Sequence, residues 1–131
     1  MDLAAFLAQA ARTPFAWGRF DCCLLLADWL VAQGRPDPAA DLRGRYRSEA
    51  GCRRLLARRG GLEAVVAACA ATAGLASTGM ACAGDVGVVR VLTPAGRGEL
   101  AGAIATGRRW AVLSPRGLLV WPADPVAAWR L

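Results

Sequence analysis

The chain contains no histidine, no lysine and no asparagine. Without histidine there is no imidazole to act as a general base near neutral pH and no nitrogen ligand to complete a zinc set. Without lysine the usual substitute amine is missing as well. Five cysteines, Cys22, Cys23, Cys52, Cys69 and Cys82, include no Cys-x-x-Cys pair, so no metal site and no cofactor are expected. Their odd count fits reduced, mostly buried thiols of a cytosolic protein. No apolar run approaches the ~18 residues that span a bilayer. The N-terminal MDLAAFLAQAAR is acidic where a secretory signal is basic. These absences predict a soluble protein with no membrane span and no cleaved signal.

What is present is arginine. It supplies all 16 basic residues of the 131-residue chain and a net charge of +6, and together with abundant Ala and Gly it reads first as GC-rich coding. Segment 41–60 is the exception, with seven Arg against Asp41 and Glu49, a local net of +5. Arg43, Arg45, Arg54 and Arg58 are candidate phosphate contacts, each offering a planar fork; a solvated helix face is the alternative. Tyr46 is the lone aromatic nearby, and no nucleic-acid-reading motif accompanies it, which argues against nucleic acid as a partner.

The length suits one domain over 1–131. Residues 1–74 read helical. Asp2 can cap a first helix carrying Leu3, Phe6, Leu7 and Ala10, ending near Arg12. Asp21 is a good N-cap for a second, nearly all-apolar and therefore central helix reaching about Gln33, which Gly34 and Pro36 end. After an irregular stretch at 35–47, Ser48 starts a third helix closed by Gly60 and Gly61. A fourth, 61–74, follows. Residues 83–131 are β-rich: runs at 85–92, 101–106, 109–114 and 117–122 are separated by turn signals at 93–98 (TPAGRG), around Gly107 and at 114–117. This order predicts an α+β fold, N-terminal helices packed on a C-terminal antiparallel meander. Three of the five tryptophans, Trp110, Trp121 and Trp129, fall near the C-terminus. Trp110 and Trp121 are expected on opposite sheet faces; core filling is the first reading for all three, and an exposed Trp129 would instead be a contact for assembly.

The stretch WGRFDC, 17–22, sets Cys22 at the start of the central helix, where unpaired backbone N–H groups and the positive dipole end favour thiolate. Cys23, about 100° further round, is expected in the core. WGRFDC and AGDVGVV (83–89) together resemble the NlpC-type branch of the papain-like cysteine peptidases, which cleave bacterial cell-wall peptides. The resemblance implies a papain-like fold with Cys22 at the nucleophile position. It also implies a catalytic histidine at the start of the next strand, in ELAGAIATG (99–107), where this chain has Leu100. The whole chain is similar to a small family encoded in tailed-phage and prophage genomes, through WGxxDC, RGRY (43–46), Gly-Gly-Leu (60–62), Gly-Asp-Val (84–86) and Ala-Trp-Arg (128–130). That family looks like a divergent NlpC relative.

With histidine absent, the bases left near such a thiol are carboxylates, Asp85 and Glu99 chiefly. Their ordinary pKa near ~4 is far below a thiol's ~8.5; Asp85 also reads as a turn residue opening a strand. The expectation is a degenerate NlpC-type protein that binds or builds at the tail tip, with other tail proteins as partners, first in the bacterial cytoplasm and then in the virion tail. The alternatives are an active thiol hydrolase of cell-wall peptides with Cys22 as nucleophile, and an Arg-rich regulator binding nucleic acid or a host protein. On the resemblance, the Cys22 sulfur faces the first strand near Asp85 or Leu100.

Overall fold

The computed structural model describes residues 1–92 and 98–131; the turn expected at 93–98 lies, apart from Gly98, outside them. Four helices come first, α1 (Leu3–Arg12), α2 (Leu24–Ala32), α3 (Glu49–Arg58) and α4 (Leu62–Thr72). Local signals explain their ends. Asp2 accepts a bond from the Ala5 N–H at 2.7 Å and Ser48 Oγ one from the Gly51 N–H at 3.0 Å, each satisfying a donor that a helix start leaves open. At the end of α2, Gly34 takes φ +84°, and the Arg35 N–H turns back to the Leu30 carbonyl at 3.0 Å, a closure that glycine permits without strain.

Strands follow: β1 (Ala76–Ser77), β2 (Val86–Leu92), β3 (Gly98–Ala105), β4 (Trp110–Ser114), β5 (Gly117–Trp121) and β6 (Asp124–Arg130), in the sheet order β1-β6-β2-β3-β4-β5. Every pairing is antiparallel. The meander expected from the sequence is β2 to β5. The chain then returns across the sheet, and β6 inserts between β1 and β2, with a register shift at Val88/Val89. Neither β1 nor β6 is evident from sequence, since β6 opens with Asp124-Pro125, residues poor in strands.

Alternation along β2 and β3 gives the sheet two faces. Val86, Val88 and Ile104 pack with Phe6, Leu25, Leu26, Trp29, Leu30 and Val66 of the helical layer. Val89, Ala101, Ala103 and Ala105 gather with Trp110, Val112 and Ala128 on the other face. There the Trp110 ring lies over Gly87, where a Cβ would come within 2.9 Å of the indole. The central position expected of α2 is met: Leu24 and Leu25 are fully buried, each contributing about 1.5–3 kcal/mol of burial.

Two tryptophan expectations are corrected. Trp110 and Trp121 are direct cross-strand partners, so they share one face rather than opposing each other, because the pleat points paired residues the same way. Trp129 is 8% exposed and part of the main core. It pairs with Val86 of the central strand β2, whose helix-side face it extends, so it is not an exposed contact for assembly.

Candidate functional site

Asp21 organises the site. Completely buried, it accepts the Cys23 and Leu24 N–H groups on Oδ1, both at 3.0 Å, capping the start of α2 as its position predicts. Its Oδ2 accepts the Gly18 N–H at 2.8 Å and the Tyr46 hydroxyl at 2.7 Å. Burial, then the bond to Asp21, pushes the Tyr46 hydroxyl far above its ordinary value. The Gly44 N–H donates to the Gly18 carbonyl at 2.9 Å. Gly18 itself has φ +81° and lies so close to the Tyr46 carbonyl that a Cβ there would stand 2.1 Å from the oxygen, which requires glycine. The segments WGRFDC and RGRY are thus one structural unit.

Gly-Asp-Val and Ala-Trp-Arg form a second unit. Asp85 accepts from the Cys82 N–H at 2.8 Å, the Leu131 N–H at 3.2 Å and Arg130 Nε at 3.3 Å. Arg130 also donates to the Met80 carbonyl at 2.6 Å. Asp85 therefore tethers the end of β6 to the turn before β2 and is not among the residues lining the cleft that holds Cys22.

That cleft, about 520 Å³, is walled by Trp17, Cys22 and Cys23 before α2, by Glu49, Cys52 and Arg53 of α3, and by Glu99, Leu100 and Ala101 of β3. The backbone of the half-buried Cys22 abuts β3, its carbonyl oxygen 2.8 Å from where a Cβ on Gly102 would stand, and Val91 of β2 lines the same cleft. Leu100 is on the same face of β3, one pleat or about 7 Å along the strand, and 38% exposed to the cleft and solvent. The structure brings Cys22 and Leu100 into one cavity and leaves Asp85 out of it.

The carboxylates in the cleft are committed elsewhere. Arg53 holds Glu49 at 2.8 Å and Glu99 at 3.4 Å. Each acid thus has an arginine partner in an exposed pair.

Sequence reading missed two thiols here. Cys23, expected in the core, is half-buried and lines the same cleft, with its sulfur 4.0 Å from that of Cys52. Hydrogen bonding with Cys22 and then with Cys52, joined by burial, raises the Cys23 thiol well above its ordinary value; the bond from Cys23 lowers Cys52. On α3, Cys52 stands at apolar spacing with Leu55 and Leu56, so its local sequence carries no sign of a thiol partner. Donor atoms of Asp21, Cys22 and Cys23 lie within 4.8 Å of one another. However, Asp21 already accepts four hydrogen bonds, which fill its lone pairs, so this group does not suit a metal.

Three of the seven arginines of segment 41–60, Arg43, Arg53 and Arg59, are in ion pairs. Arg43, a predicted phosphate contact, instead bridges Asp28 at 2.7 Å and Asp37 at 2.6 Å, fastening the irregular stretch to α2. Its guanidinium holds Asp37 below the usual carboxylate range, whereas burial outweighs it at Asp28 and moves that group up. Arg59 pairs with Asp41 at 2.8 Å. Arg45, Arg54 and Arg58 are exposed and have no ion pair among the described residues. Among the described residues no helix is long and apolar enough to cross a membrane.

Over residues 1–131 the sequence matches the family described as Domain of unknown function (DUF6950). The chain belongs to this family. No curated protein and no solved structure matches it. The Asp21–Tyr46 unit, the Asp85–Arg130 tether and the thiol-lined cleft are accordingly features that the structure itself supplies for this member of DUF6950.

Proposed function

We propose that this is a degenerate NlpC-type, papain-like protein that has lost peptidase chemistry and serves as a binding or structural component of a phage tail, at its tip, with other tail proteins as partners. The observation that carries the reading is the wall facing Cys22. It presents the aliphatic Leu100 where the resembled peptidases place their base, and the nearby acids are held by Arg53. General acid–base assistance contributes typically ~10² to 10⁴ in rate, and the cleft wall holds no imidazole and no lysine amine to supply it. A cleft of about 520 Å³ is still large enough to hold a peptide segment. Three of the seven arginines of segment 41–60 are in ion pairs, and the one aromatic of that segment, Tyr46, is buried and does not offer a stacking face, which tells against the nucleic-acid reading.

The test combines chemistry and assembly. Purified protein is expected to release no product from cell-wall tetrapeptides, and phage carrying Cys22→Ala to assemble tails that adsorb as the parent does. Cleavage abolished by Cys22→Ala would make the protein a working thiol hydrolase. Absence of the chain from purified virions would remove the tail assignment.

A further inference from the structure

Cys23 and Cys52 come from different helical segments, 29 residues apart in sequence, yet their sulfurs stand 4.0 Å apart at the wall of an open cleft. Cys23 is held at the start of α2 by the backbone bonds to Asp21, and Cys52 in the first turns of α3 by its N–H bond to the Ser48 carbonyl at 2.9 Å. Two fixed backbones therefore present two thiols at contact distance, and rotation about the Cα–Cβ bonds is the motion left to close the gap.

We propose that Cys23 and Cys52 form an oxidisable dithiol that a peroxide converts to a disulfide, linking the start of α2 to α3 across the cleft wall. The reaction needs one thiolate of the pair. In the first step that thiolate forms an S–O bond with one peroxide oxygen, the O–O bond breaks, and the departing alkoxide or hydroxide takes a proton from water. Its cysteine becomes a sulfenic acid. In the second step the other sulfur of the pair attacks the oxidised sulfur, the S–O bond breaks, and the hydroxide leaves as water with the proton of the attacking thiol. Two thiols thus give up two electrons, and one peroxide becomes an alcohol, or water, plus water. A dithiol reductant reverses the change by thiol exchange.

The other thiols are placed differently. Cys69 donates to the Pro38 carbonyl at 3.4 Å, and Cys82 is exposed beside Arg130. Cys22 adjoins Cys23 and is the competing partner.

The experiment uses the full chain carrying Cys82→Ser, which removes the exposed thiol outside the cleft, treated with stoichiometric hydrogen peroxide. Thiols titrated after unfolding should fall from four to two. Peptide mapping should show Cys23 linked to Cys52, and dithiothreitol should restore all four. Cys52→Ser added to this background should abolish the dithiothreitol-reversible loss of two thiols, with its circular dichroism spectrum confirming the fold. A Cys22–Cys23 link, an unlinked Cys52 carrying two or more oxygens, or the same reversible loss of two thiols with and without Cys52 would each overturn the proposal. The mapping needs no cleft variant, so it stands even if Cys52→Ser does not fold.

Discussion

Asp21 shows how one side chain can serve two levels of structure. Two of its bonds start α2, and the other two hold the Gly18 turn and Tyr46 in place. Tyr46→Phe keeps the ring and removes the hydroxyl donor, leaving a buried oxygen short of a partner. The expected cost is about 1.5–3 kcal/mol, the range for hydrogen bonds to charged groups, read from the urea midpoint at pH 7. The pH dependence has a definite sign. The folded-state value of Tyr46 is raised above its ordinary 10.0, so the folded chain keeps a proton that the unfolded chain releases. This contribution is fully present below about pH 10 and is lost as the pH rises further. Parent and Tyr46→Phe should therefore converge in stability above that pH. Tyr46 is the only tyrosine, so tyrosinate absorbance follows its ionisation directly, and a native chain ionising near pH 10 would refute the account.

At the scale of elements, the junction of α2 and β3 decides what the cleft can be. Gly102 lets β3 pass directly against the start of α2; a Cβ there would meet the Cys22 carbonyl at 2.8 Å and Leu26 Cδ1 at 3.2 Å. The backbone oxygen cannot turn aside as a flexible side chain can. Gly102→Ala should therefore destabilise by about 1–3 kcal/mol, as overpacking does, and shift Cys22 away from the sheet, changing its alkylation rate by iodoacetamide. An unchanged urea midpoint would show that α2 and β3 have slack. Nothing in the run ELAGAIATG marks Gly102 as a contact, because in a strand pattern it reads equally as a bend, a bulge or a close approach.

For the molecule as a whole, the return of β6 to the middle of the sheet ties the C-terminus into the core. Trp129→Ala removes a large indole from the main cluster and should cost about 3–5 kcal/mol, seen as a lower melting temperature of the isolated protein. A residue serving only as an assembly contact would leave that temperature unchanged. The Asp85–Arg130 tether and the bond from Leu131 N–H to Asp85 at 3.2 Å fasten the same end. The C-terminus is thus part of the folding unit.

Local chemistry made much of this legible without coordinates. The caps at Asp2, Asp21 and Ser48, the closing glycine after α2, the apolar α2 and the turn-punctuated meander depend on near neighbours in the chain, and the α-then-β order followed from them. The place of Cys22 at a helix start and the lack of any imidazole were also properties of the sequence alone. Tertiary structure decided the rest, because it depended on residues far apart. The central place of β6 came from pairing with β2, and Trp129 was buried by that same pairing. Arg43 became a brace through aspartates six and fifteen positions away. Cys23 left its expected core role, and Cys52 joined it, only because α3 packs beside the start of α2. Periodicity assigns a residue to a face of its own helix; what stands opposite that face is settled by how the layers pack.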